Sequence, residues 1–228
     1  MLLLGFLAAC SQPGVSEDEF GHPRELLANC TRLELRDDQA GNTYVYDAHG
    51  YYAFGPGPDG DWFDQVTTLD ALGRPVLVAI DGFYESVVRL EREYVDDTWR
   101  LKEERYSDGA ENVGTYVYTW RDGSYVREGS SSRYEAALGE GLREVSIAHE
   151  IWSPYTDAWG LDEHELVWED DRLIRRTTLS RWGGSSGQDG HLHRKHAFRY
   201  NDSSRLVAED VSDEEGALFT RTWEWSCP

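Results

Sequence analysis

Basic residues are scarce in this chain. Its 228 residues hold 22 Lys and Arg against 43 Asp and Glu, a formal net charge of −21. Nucleic acids and anionic lipid surfaces are bound by neutralising phosphates with Lys and Arg, so this balance excludes nucleic acid as a partner. The simplest consequence of the acidity is solubility. Methionine occurs once, and no apolar run is long enough to cross a bilayer as a helix. Neither a Gly-x-Ser-x-Gly motif nor a phosphate-cradling glycine loop ahead of a helix is present. Two common signatures, of nucleophile and of nucleotide site, are therefore missing.

Aromatic side chains are plentiful instead, with 9 Trp, 13 Tyr and 7 Phe. Together with Thr and Val they favour strands over helices. The best helical candidate is short, from His22 to Asn29, with Pro23 suited to a first turn and Asn29 to a stop. From Thr31 onward apolar and polar residues alternate: Val88, Leu90, Arg92 and Tyr94 share one face of a strand, and Arg89, Glu91 and Glu93 the other. Turn signals at Asp70 to Gly73, Asp122-Gly123 and Asp202 to Ser204 separate such runs. Gly55 to Asp61 and Gly183 to Gly190 read as loops, and Ala136 to Leu138 is compatible with a helical turn. Leu, Ile and Val are diluted by charge on nearly every strand, leaving little for a two-layer core. The expected architecture is all-β: a single curved antiparallel meander of hairpin repeats with a short N-terminal helix, stiffened by cross-strand aromatic pairs on its concave face.

The clearest unit is Leu69-Asp70-Ala71-Leu72-Gly73-Arg74-Pro75-Val76. It reads as strand, tight turn, strand, with Asp70 placed to bond the backbone downstream and Gly73 to supply a positive φ. Weaker copies run from Tyr46 to Tyr51, Tyr94 to Leu101, Trp168 to Leu173 and Tyr200 to Leu206. The anchors Tyr46, Leu69, Tyr94 and Tyr118 recur about every 24 residues. In these residues the chain resembles a YD/RHS repeat, whose units look like Tyr-Asp-x-x-Gly-Arg-Leu followed by a strand. The resemblance covers roughly residues 31 to 226 and is specific at Leu69 to Val76. It implies a repeat β-domain over residues 22–228. In the larger relatives such repeats build shells or extended surface structures and can contact carbohydrate. The Asp-Pro-x-Gly type signature that closes a full core is absent here, so only the strand-turn-strand unit carries over.

Met1 to Ala9 has the character of a secretory h-region. Leu7-Ala8-Ala9-Cys10 resembles a bacterial lipobox. That resemblance implies a signal peptide over residues 1–9, lipid on Cys10 and a membrane partner through that anchor. Because Ser11 rather than Asp follows, it also implies sorting to the outer membrane of the cell envelope. Residues 10–21 then form a flexible tether. With Cys10 assigned to lipid, Cys30 and Cys227 remain, and in an oxidising compartment the pair reads as a disulfide joining the first strand to the last. Two free buried thiols are the cytosolic alternative.

Tyr44, Tyr46, Tyr116, Tyr118, Trp120, Trp223 and Trp225 form a candidate platform for a glycan or an extended peptide. Structural cross-strand ladders explain the same residues, and exposure of the rings separates the two readings. His191 and His193 share a strand face and are the candidate metal pair, with His196 on the opposite face. Solvated hairpin residues are the plainer reading. Asp162-Glu163-His164-Glu165, beside Trp159 and Trp168, are the acids a glycoside hydrolase would use. Polar residues are otherwise spread along every strand. The expectation is a non-catalytic protein, without cofactor, that presents its sheet to a protein or glycan partner; a glycan- or peptide-binding module is the first alternative and a glycosidase or metal-dependent enzyme the second.

Overall fold

The period-2 alternation is realised as strands throughout the computed structural model, which describes residues 27–36, 39–56, 62–83, 86–108, 111–140, 143–153, 158–170, 172–184 and 190–228. In chain order these are β1 (Thr31–Arg36), β2 (Gln39–Tyr46), β3 (Tyr52–Pro56), β4 (Trp62–Leu69), β5 (Pro75–Phe83), β6 (Ser86–Tyr94), β7 (Leu101–Asp108) and β8 (Glu111–Arg121). They continue as β9 (Ser124–Glu128), β10 (Ser132–Leu138), β11 (Glu144–Ser153), β12 (Ala158–Glu169), β13 (Arg172–Gly184), β14 (Gly190–Tyr200), β15 (Leu206–Ser212) and β16 (Ala217–Ser226). Each strand pairs antiparallel with the next, and β16 returns to β1. The result is a closed barrel.

Closure corrects the expected open meander. The strand order is that of a meander, but six residue pairs from Thr31↔Ser226 to Arg36↔Arg221 join the first strand to the last. Closing the sheet removes both edges, each of which would present unpaired backbone groups. The Cys30–Cys227 disulfide, with Cα atoms 4.3 Å apart, lies at one end of this seam. The expected helix is also corrected in part. Leu27 to Asn29 form a turn, with Asn29 in the left-handed region at φ 56°, and the rest of that segment lies outside the described residues. No α-helix occurs among the described residues. Ala136 to Leu138 belong to β10, where Ala136 is fully buried opposite Tyr125 and Ile147. Cys10, the signal segment and the tether likewise lie outside the described residues.

The up-and-down order puts alternate connections at opposite ends. One end, here the turn end, carries the connections 47–51, 70–74, 95–100, 122–123, 139–143, 170–171 and 201–205, together with the disulfide. Three of these turns share one bonding scheme. Asp47, Asp70 and Asn201 each accept, through Oδ1, the backbone N–H groups two and four residues on, at 2.8 to 3.0 Å. The residue at the fourth position has positive φ in every case: Gly50 at 76°, Gly73 at 78° and Ser204 at 62°. Asp and Asn suit the first position because a short side-chain oxygen reaches its own downstream backbone.

After the turns comes a second recurrent device. Trp120 and Trp225 donate their indole N–H to the carbonyls of Leu101 and Leu206, both at 2.7 Å. Trp168 does the same to Glu144 at 2.8 Å, and the Tyr94 and Tyr200 hydroxyls donate to Pro75 and Leu173 at 2.9 and 2.8 Å. In each pair the residue before the acceptor is an arginine. Arg74, Arg100, Arg143 and Arg172 lie over the rings of Tyr94, Trp120, Trp168 and Tyr200 at 4.6 to 5.8 Å. The Arg-Leu steps at Arg100 and Arg172 therefore stack a guanidinium on a ring and lend it a carbonyl, the step at Arg205 lends the carbonyl of Leu206, and Leu101, Leu173 and Leu206 are buried.

Candidate functional site

Cross-strand register assigns every side chain to one of two faces. The packed face contains Arg32, Tyr46, Ile80, Leu90, Arg92, Glu104, Tyr118, Arg127, Tyr134, His149, Asp162 and His196. The charged face contains Glu91, Glu93, Glu103, Arg105, Arg133, Glu135, Glu163, Glu165, Arg181 and Lys195.

On the packed face, charged groups are enclosed and paired. Arg92 Nε donates to Glu104 Oε1 at 2.8 Å, and the Tyr118 hydroxyl donates to Glu104 Oε2 at 2.5 Å. Burial works to raise the Glu104 pKa, but the Arg92 charge, these two hydrogen bonds and Arg127 outweigh it and hold the carboxyl below its ordinary value. Arg127 lies over the rings of Tyr116 and Tyr134 at 4.8 and 4.9 Å. Next to it, Glu144 accepts from Tyr134 at 3.0 Å and from Tyr125. Here burial prevails, and the Glu144 pKa is raised despite both hydroxyls and Arg127. The Tyr118, Tyr125 and Tyr134 hydroxyls are pushed up, first by burial and then by the neighbouring carboxylates. Sequence alternation did carry a signal for this network, because Arg92 falls in register with Leu90 and Tyr94.

The seven aromatics of the candidate platform all lie on the packed face. Tyr46, Tyr118 and Trp223 are buried, and Tyr44, Tyr116, Trp120 and Trp225 are half-buried. Tyr44, Tyr46, Trp223 and Trp225 surround the buried Arg32 guanidinium at 4.4 to 5.8 Å. Burial and the Glu34 hydrogen bond, 2.7 Å long, push the Tyr44 hydroxyl up to about 12. These rings face protein partners across neighbouring strands.

His191 and His193 do share the charged face, opposite Arg181 and Leu179. His193 Nδ1 is 3.4 Å from Glu214, and His191 is exposed. His196 lies on the packed face, 2.7 Å from Glu209. Among the described residues no group of three His, Cys, Asp or Glu side chains comes together to hold a metal ion. Alternation splits the acidic run: Asp162 and His164 go to the packed face, and Glu163 and Glu165 to the charged face, with Glu163 paired to Arg181. His164 Nδ1 is 2.9 Å from Thr178 Oγ1; burial, then Arg176, lower its pKa to about 4.

A groove of about 730 Å³ crosses β9 to β14 and is lined chiefly by the charged face. Ala137, Ser146 and Ala148 are among its small lining residues, and Glu135, Glu163, Glu165, His193 and Glu214 among its polar ones. Its volume falls within the range of small-molecule sites. No sequence signal reveals it, because it is assembled from one to three residues on each of six strands and one turn residue.

No known protein-family model matches the chain, and no curated protein does. Among solved structures the chain is similar to a porin-like protein from Bacteroides uniformis, at 10% identity and a TM-score of 0.40, over 87% of this chain and 96% of that one. A likeness that distant bears on neither the register nor the function.

Proposed function

We propose that this chain is a non-catalytic, lipid-anchored exported protein of a bacterial cell envelope, whose YD/RHS-like barrel stands outside the bilayer and presents its charged face to a partner. The observation that carries the reading is the distribution of charge. A barrel that crosses a membrane needs an outward apolar band about 25 Å tall. Here the mid-strand positions of one face carry Glu91, Glu103, Arg133, Glu135, Glu163 and Lys195, and those of the other carry Arg92, Glu104, Arg127, Asp162 and Glu209. Neither face offers such a band, so the membrane association falls to the lipobox-like Cys10. Residues 10–21 are the tether in this reading, and the described chain begins at the turn end, where Leu27 is buried.

Metabolic labelling with palmitate tests the anchor. The chain incorporates label at the outer membrane, and Cys10→Ser abolishes incorporation. A Cys10→Ser chain that still resists carbonate extraction through its barrel would contradict the proposal. A second reading, a ligand-binding module, is favoured by the groove across β9 to β14. Turnover or binding of an oligosaccharide or peptide that is lost in Glu165→Gln and His193→Gln would establish it.

A further inference from the structure

Around β13 and β14 the packed face brings basic side chains together without matching acids. The sheet is single and closed, so the face whose side chains are buried is the one turned inward. In a chain of net charge −21, β13 carries four arginines and β14 two arginines and a lysine, and neither strand contains Asp or Glu. Register turns Arg176, Thr178, Arg194 and His196 inward, with Thr178 opposite Arg194 and Arg176 opposite His196. Arg176 and Arg194 are therefore diagonal neighbours that both adjoin Thr178, at a spacing of about 7–8 Å that two long side chains close. Neither guanidinium is matched. Arg194 forms no hydrogen bond or ion pair among the described residues, and the buried Nε donors of both arginines lack an acceptor. Arg176 has the Phe198 ring at 5.9 Å and, among the described residues, a single ion pair, 3.9 Å from Glu209. That carboxylate already faces His196 at 2.7 Å and Arg221 at 3.4 Å. The side chain of Arg176 stays 35% exposed, against 5% for Arg92 in the filled part of the same face, so solvent reaches it.

We infer that Arg176, Thr178 and Arg194 form a site for a small oxyanion, a phosphate or carboxylate group, on the inner face of the barrel. A guanidinium left unpaired beside another costs free energy that an anion between them offsets. Each planar fork presents two parallel N–H donors to such a group, a geometry that suits phosphate and carboxylate oxygens. Thr178 supplies a further donor. Burial, then Arg176, lowers the His164 pKa to about 4, so its ring is neutral and keeps one N–H. With that proton on Nδ1, His164 donates to Thr178 Oγ1 at 2.9 Å, and the hydroxyl proton is left for the anion. Other arginines of the same face need no such ligand. Arg92 has Glu104 at 2.8 Å, and Arg221 has Glu209 at 3.4 Å and Glu34 at 3.6 Å. The inference stands independently of the lipid anchor.

The test uses the full chain in non-ionic detergent, titrated calorimetrically with sodium phosphate and, separately, with sodium glucuronate at constant ionic strength. Saturable binding of one anion per chain is expected. Arg194→Met or Arg176→Met weakens it by at least about tenfold, as loss of a charge-assisted hydrogen bond does. Arg175→Met and Arg199→Met, on the outer face of the same strands, change it by less than about twofold. Binding of phosphate alone assigns the site to a free inorganic anion, tighter binding of glucuronate assigns it to an acidic sugar, and either supports the inference. No saturable heat with either anion at two temperatures overturns it. So does an affinity that both inner variants leave unchanged, or that the outer variants weaken equally. Folding is read on the same samples. Without added anion, Arg194→Met melts no lower than the unaltered chain, because it removes an unmatched charge. A lowered melting point would show that the guanidinium already has a partner, and would overturn the site.

Discussion

At the turn end of the barrel, Asp47, Asp70 and Asn201 repeat one hydrogen-bonding scheme, five aromatic side chains brace the strands that follow, and a disulfide ties the first strand to the last. At the loop end the strand tips range from Ser153, Gly184 and Gly190 to Arg36, Asp108, Glu111 and Glu128, Asp213 accepts only from the backbone two and three residues on, and no disulfide recurs among the described residues. The difference lies in where buried apolar and polar groups meet. Leu101, Leu173, Leu206 and Cys30 are almost wholly inaccessible and lie within a residue or two of the turn end, but Val88 and Val211 are buried near the loop end too, so what sets the turn end apart is its hydrogen-bonded turns, aromatic braces and disulfide. Bracing concentrated at one end leaves the other freer to open locally.

The largest effect expected from breaking this asymmetry is loss of the disulfide. Cys30→Ala with Cys227→Ala opens a link across 197 residues and destabilises the fold by roughly 5 kcal/mol in the entropic account, less any relief of strain. Chemical denaturation of the double variant checks it. Next comes Arg92→Met, which leaves Glu104 buried without its hydrogen-bonded cation. A loss of about 3–5 kcal/mol is expected, much larger than the cost of Lys102→Met in the exposed pair with Glu93.

The legible part of this architecture is local. Asp70 to Arg74 announced its turn, because an Asp side chain and a glycine at positive φ are sufficient on their own to make one. The Arg-Leu steps at Arg100, Arg172 and Arg205 were visible as repeat marks, though not that each guanidinium precedes a carbonyl bonded by an aromatic 19 to 27 residues later. Closure was not legible. Thr31 and Ser226 pair across nearly the whole chain, and alternation within a strand says which face a residue takes, not whether the sheet's two edges meet. The cysteine pair pointed to nearness of the ends without choosing between a pinned sheet and a barrel. The groove escaped for the same reason, since Glu214 reaches it from a distant turn.

Between the two ends, His164 gives a pH signature. Its pKa is lowered to about 4 by burial and by Arg176, below an ordinary value of 6.5. The unfolded chain therefore takes up this proton first, and stability present above pH 6.5 is lost as pH falls toward 4. The loss is at most about 3 kcal/mol. His164→Gln flattens the stability profile over that window, and an unchanged slope would show that other groups set it. Smaller still is the contrast between Asp70→Ala and Trp152→Ser. Removing the turn acceptor costs about 1 kcal/mol, as loss of a local side-chain-to-backbone bond does, while the exposed indole changes stability by less than about 0.5 kcal/mol. Thermal melts of the two variants side by side would sharpen the comparison.

Hydrogen exchange resolved by residue tests the central claim most directly. The backbone N–H groups of Tyr46, Gly73, Arg74, Ser204 and Arg205, and the β1–β16 seam from Thr31 to Leu35, are predicted to exchange only through global unfolding. Those of Trp152 and Trp182 are predicted to exchange orders of magnitude faster, through local opening at the loop end. Equal protection at both ends would contradict the division of the barrel, and fast exchange along Thr31 to Leu35 would contradict its closure.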